Sequence, residues 1–139
     1  MITVCVDTNV VLRMRGQAGE FRPLLSALAA GKLRWAVSTD ILLEYEEVLI
    51  AKCGESRWQS FWSLIQAIAL RHETIDTLDP QFRFRVITTD PDDNKFADCA
   101  IAANADFVIT EDAHFAPLVT AGYKAQPIAP ADFIERFLK

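Results

Sequence analysis

Apolar positions along the chain follow two rhythms that take turns. In "ITVCVD" (2–7) the β-branched Ile2, Val4 and Val6 flank an apolar Cys5, so both faces of an extended segment are covered. Such a run predicts an interior strand of a parallel sheet. A helical rhythm follows near 20–30, where Phe21, Leu24, Leu25 and Leu28 form one stripe and Gly31 stops it. "LRWAVS" (33–38) predicts a second strand. "STDILLEYEEVLIAKCG" (38–54) predicts a helix with capping residues in front and Gly54 behind. "SRWQSFWSLIQAIALRH" (56–72) predicts a third helix, hinged on the second by a short turn. "ETIDTL" (73–78) predicts a short strand, and no periodicity defines Pro80 to Thr89.

The alternation then resumes. "DPDDNKFADCAIAANA" (90–105) predicts a helix with Asp90 as N-cap, Pro91 at the first helical position and Asp93 as a capping-box acid. "DFVIT" (106–110) predicts a strand and "AHFAPLVTAG" (113–122) a short helix. "YKAQPIA" (123–129) supplies a last strand and "PADFIERFLK" (130–139) a closing helix. Strands alternating with helices predict a three-layer α/β/α sandwich around a mostly parallel sheet. Residues 1–139 are expected to form one domain, since this length supports a core without staples.

One position breaks the first strand's pattern. Asp7, Thr8 and Asn9 end it, and Val10, Val11 and Leu12 follow at once. Asp, Thr and Asn all cap helices, which is one explanation of Asp7. The other is that open α/β sheets bind ligands beyond the carboxyl ends of their strands, where Asp7 would stand. The stretch itself leaves both open.

Composition narrows the setting. Apolar residues make up 51% and charged residues 24%, ordinary values for a soluble globular protein. No apolar run approaches the ~20 residues that span a bilayer, and no signal peptide is expected. Cys5, Cys53 and Cys99 are odd in number and set among apolar residues, which points to reduced thiols in a cytoplasmic protein. The net charge of −5 argues against a simple basic nucleic-acid clamp. Four acids gathered in one metal site would account for most of it, leaving basic residues such as Arg13, Arg15, Lys32, Arg34 and Lys95 free to meet phosphates.

Asp7 has counterparts. Strand 106–110 ends in Thr110, and Asp112 follows two residues later. Glu44 lies in the first turns of the helix after strand 33–38. The buried stripe of that helix is Ile41, Tyr45, Val48 and Leu49; Glu44 and Glu46 fall on its opposite borders, and position favours Glu44. Asp98 sits on a helix that is apolar almost all round, in a narrow polar stripe with Asn94 one turn before it. Taken alone, Asp98 is better explained by a thin solvent-facing stripe. Asp7, Glu44, Asp98 and Asp112 brought together would repel one another, and Mg²⁺ or Mn²⁺ resolves that conflict in a site of oxygen ligands. His72 and His114 are isolated in sequence and are expected to be surface or capping residues.

"VDTNVVL", "STDILLEYEEVL" and above all "DPDDNKFADCAIAANADFVITEDAHF" resemble the PIN-domain nucleases, the family of the VapC-type toxins. The resemblance covers essentially the whole chain and implies the acidic quartet Asp7, Glu44, Asp98 and Asp112, with Asn9 and Thr110 as polar supports. It also selects Glu44 over Glu46, and leaves Asp93 either reaching the metal or capping its helix. It implies Mg²⁺- or Mn²⁺-dependent cleavage of single-stranded RNA, a homodimer, and an antitoxin protein as partner. The crowd of Trp58, Phe61, Trp62 and Leu64 on one helix points to the same homodimer. Two other functions compete: a PIN-like module that binds RNA or protein without cleaving, and a haloacid-dehalogenase-type phosphatase. The second wants another Asp two residues after Asp7, where this chain has Asn9.

Overall fold

The computed structural model describes residues 1–16 and 19–139. Five short strands form one sheet: β1 (Thr3–Val6), β2 (Arg34–Val37), β3 (Ile75–Thr77), β4 (Phe107–Ile109) and β5 (Gln126–Ile128), in the order β3-β2-β1-β4-β5. Every pairing is parallel. Helices pack on the faces of this sheet to give an α/β/α sandwich. The bounds of β1 to β4 lie within one or two residues of the stretches expected from the sequence, and β5 begins three residues into its stretch.

Among the described residues six α-helices accompany them: α1 (Thr8–Met14), α2 (Arg22–Ala29), α3 (Thr39–Cys53), α4 (Glu55–His72) and α5 (Asn94–Ala102) between strands, and α6 (Pro130–Phe137) after β5. Ser38 caps α3 by accepting from the Ile41 N–H at 3.2 Å, and Gly54, at φ 94°, turns the chain from α3 into α4. Two segments depart from the expected α-helices. Pro91–Asp93 forms a single 3-10 turn ahead of α5, and Ala113–Thr120 is 3-10 rather than α. Pro117 lies inside the latter and has no N–H to give to an α-helical ladder.

Order in the sheet determines where a ligand can sit. From β1 the chain moves outward through β2 to β3, and then returns to the other side of β1 for β4 and β5. The direction reverses between β1 and β4, and the crevice at their carboxyl ends is the switch point of the fold. Both neighbours are rigid. Val4, Cys5, Val6, Val108 and Ile109 are wholly buried, and α5 lies against β1, β2 and β4. On one face of the sheet Trp35 of β2, Tyr45 of α3, Phe61 of α4 and Phe96 of α5 pack as a chain of rings about 6 Å apart. Trp58 and Phe61 face inward in this cluster, and Trp62 stacks on Trp58. The aromatic crowding of α4 is therefore largely satisfied within the chain.

Candidate active site

Asp7 occupies the N-cap position of α1, and its carbonyl accepts from the N–H groups of Val10 and Val11. Its side chain, however, makes no capping bond. The carboxylate instead accepts from the Thr110 hydroxyl at 2.8 Å, across the β1–β4 seam, and only 6% of the residue is exposed. The Thr110 oxygen in turn accepts from the Asp112 N–H at 3.0 Å. Thr110 thus ties the two strand ends and both of their acids into one unit. Burial raises the Asp7 carboxyl above its ordinary value; Thr110 and the Thr8 backbone oppose this, and the charges of Glu44 and Asp112 add to it.

Glu44 projects from the first turns of α3 to the flank of Asp7. It accepts from the Thr8 hydroxyl and pairs with Lys95 at 2.9 Å. Burial works against the Lys95 charge, but Glu44 prevails and holds the ammonium above its usual range. Tyr45, the next residue, donates to the Val6 carbonyl and so fixes α3 to the end of β1. Glu46 and Glu47 are exposed.

The structure brings Asp93 to this group and not Asp98. The Asp98 carboxylate accepts from the Phe84 N–H at 3.0 Å; burial raises its carboxyl, and Phe84 and the Arg83 charge pull it back. Five residues separate Asp93 from Asp98, which at about 100° per residue turns them roughly 140° apart. The polar stripe of α5 is half-buried and engages backbone groups. Asn94 accepts from Ile87 N–H at 2.9 Å and donates to Ile87 carbonyl at 2.8 Å, so Asn94 and Asp98 together hold the returning segment 84–87.

Asp93 makes no capping hydrogen bond either. Its Oδ2 lies 3.4 Å from His114 Nδ1, and both atoms are buried without a hydrogen-bond partner. His114 Nδ1 is also 3.2 Å from Asp112 and 4.0 Å from Asp90. Burial and the charges of Asp112, Asp7 and Asp90 push the Asp93 carboxyl up to about 6, against the pull of neighbouring His114. Among the described residues, Asp90, Asp93 and His114 offer ligand atoms within 4.8 Å of one another. His114 is not isolated in space, although nothing near it in sequence except Asp112 hinted at this. Asp90 does cap its turn, through the Asp92 N–H at 3.2 Å. Asp112 caps the next segment through the His114 N–H at 2.9 Å.

Asp7 and Asp112 open onto a cleft of about 470 Å³ that Asn9, Arg13, Lys52 and Glu111 also line. Asn9 is exposed there and Thr110 is buried beneath it. Crowded carboxylates, a raised pKa and orphaned ligand atoms fit a divalent cation, which would relieve all three. The profile of the PIN domain matches residues 3–114, and the chain belongs to that family. PIN domains are generally metal-dependent nucleases. No curated protein matches the chain. Among the described residues, no helix is long and apolar enough to cross a membrane.

Proposed function

We propose that this chain is a single PIN nuclease domain over residues 1–139 that cleaves single-stranded RNA with Mg²⁺ or Mn²⁺, as the toxin of a cytoplasmic toxin–antitoxin pair. One observation carries the reading: Asp7, Asp93 and Asp112 converge at the β1–β4 switch point, with an Asp93 oxygen and a His114 nitrogen left unpartnered. Asp7, Asp93 and Asp112 would hold the ion, with Glu44 on its flank and His114 and Asp90 at its border. A bound divalent ion supplies a hydroxide-like water at neutral pH and offsets charge on the phosphodiester. Placement is the task of the side chains. Thr110 keeps Asp7 turned toward the cleft, Thr8 and Lys95 keep Glu44 in place, and Lys52 offers a cation to the phosphates beside Arg13, which Glu20 and Glu111 hold on the cleft wall. Asp98 acts in this scheme through the 84–87 segment, not as a ligand. The antitoxin and a second copy of the chain are the partners that the toxin role brings with it.

Incubation of the purified protein with single-stranded RNA, with EDTA or with Mn²⁺, tests the reading. Cleavage should require Mn²⁺ and fall by about 100-fold or more in Asp7→Asn, since even residues behind a metal's ligands cost 10–100-fold. Glu46→Gln should cleave as the wild type does. A folded wild type that binds Mn²⁺ and leaves RNA intact would instead be a non-catalytic binding module.

A further inference from the structure

The sequence "QFRFR" (81–85) interleaves aromatic and basic residues in a segment that no strand or helix contains. Phe82 and Phe84 lie with ring centroids 4.9 Å apart, and Phe84 meets Tyr123 edge-on at 5.3 Å. None of the three belongs to the hydrophobic core or to the residues packed against it. Phe82 is 65% exposed. Three rings held together outside the core contribute little to the fold and offer open π-faces to solvent.

Beside them runs a groove of about 570 Å³ whose walls include Arg83, Arg85 and Lys95, with Asp40, Asp92 and Asp98 among them. Asp98 is committed to the Phe84 N–H. Among the described residues, Arg83 and Arg85 form no ion pair, in a chain whose net charge is −5. The groove borders the acidic site: Lys95 on its wall pairs with Glu44, and Asp92 precedes Asp93. Aromatic faces for bases next to unpaired guanidiniums for phosphates are what a flexible single strand needs. A duplex, whose bases are already stacked, gains nothing from the rings.

We infer that Phe82, Phe84 and Tyr123, with Arg83 and Arg85, form a stacking platform that grips single-stranded RNA as it leaves the acidic cleft, and that Asp98 holds this platform by its backbone. The inference rests on the ribonuclease reading for its substrate, but binding can be measured without cleavage. Fluorescence anisotropy in EDTA with a labelled oligoribonucleotide, single-stranded or annealed to its complement, compares wild type, Phe82→Ala and the double variant Arg83→Ala/Arg85→Ala. Phe82→Ala should weaken single-strand binding by about 5-fold or more and leave the duplex unaffected. The double variant should flatten the dependence of log affinity on log salt by about 0.7 per arginine. Because Phe82 is largely exposed, its loss leaves the fold in place. Variants that bind the single strand as wild type does overturn the platform and leave the patch to a protein partner, whatever the cleavage assay shows. Ring-dependent binding by a wild type that fails to cleave in Mn²⁺ would support the platform while sinking the ribonuclease reading.

Discussion

Asp93 is the carboxylate whose surroundings most favour a cation. Its Oδ2 is buried without a partner, and burial with three neighbouring acids holds its carboxyl at about 6. An unfolded Asp titrates near 4, so without metal the folded chain gives up this proton at higher pH than the unfolded chain does. Stability is therefore lost as pH climbs from about 4 through 6. Asp93→Asn removes that loss. In EDTA the variant should melt above the wild type at pH 7.5, and the gap should narrow toward pH 4; parallel melting curves across that range would contradict the crowding. His72, the other histidine, has a purely local role. An added Cβ on Gly31, at φ 71°, would lie 2.5 Å from the His72 ring.

At the scale of elements, that contact makes Gly31→Ala a test of how α2 is joined to β2. Clash and a left-handed backbone together should cost about 1–3 kcal/mol, read as a lower denaturant midpoint with activity per folded molecule retained. The strands themselves were legible because runs such as Val4–Val6 and Phe107–Ile109 are apolar on both faces, and a parallel sheet is the fold that needs this. Asp7, Thr110 and Asp112 were legible for the same reason, as polar residues at the ends of such runs. Asp93 and Asp98 were not separable by pattern. Both sit on one short stretch of sequence, and the 3-10 turn at Pro91–Asp93 carries Asp93 to His114 while Asp98 lies further along α5 against Phe84. The role of Asn94 and Asp98 was hidden because they bond to backbone groups of residues 84–87, and a backbone N–H leaves no mark on sequence. His114 was missed because its partners Asp90 and Asp93 come from a separate segment.

For the whole molecule, the toxin reading carries a homodimer, although Trp58 and Phe61 are already covered within the chain. Light scattering should give twice the 15.6 kDa chain mass; a species of one chain at micromolar concentration would remove the second copy from the scheme. The claim on which the rest depends is that β1, β4 and the start of α5 build one cation site. Mn²⁺ titration by calorimetry of wild type, Asp93→Asn and Asp98→Asn measures that directly, with no substrate present. Wild type and Asp98→Asn should bind Mn²⁺ alike, since an Asn there still accepts from Phe84, while Asp93→Asn should lose about 10-fold or more in affinity. Loss of binding in Asp98→Asn with Asp93→Asn unaffected would contradict the site described here, and a wild type that takes up no Mn²⁺ would refute the cation site altogether.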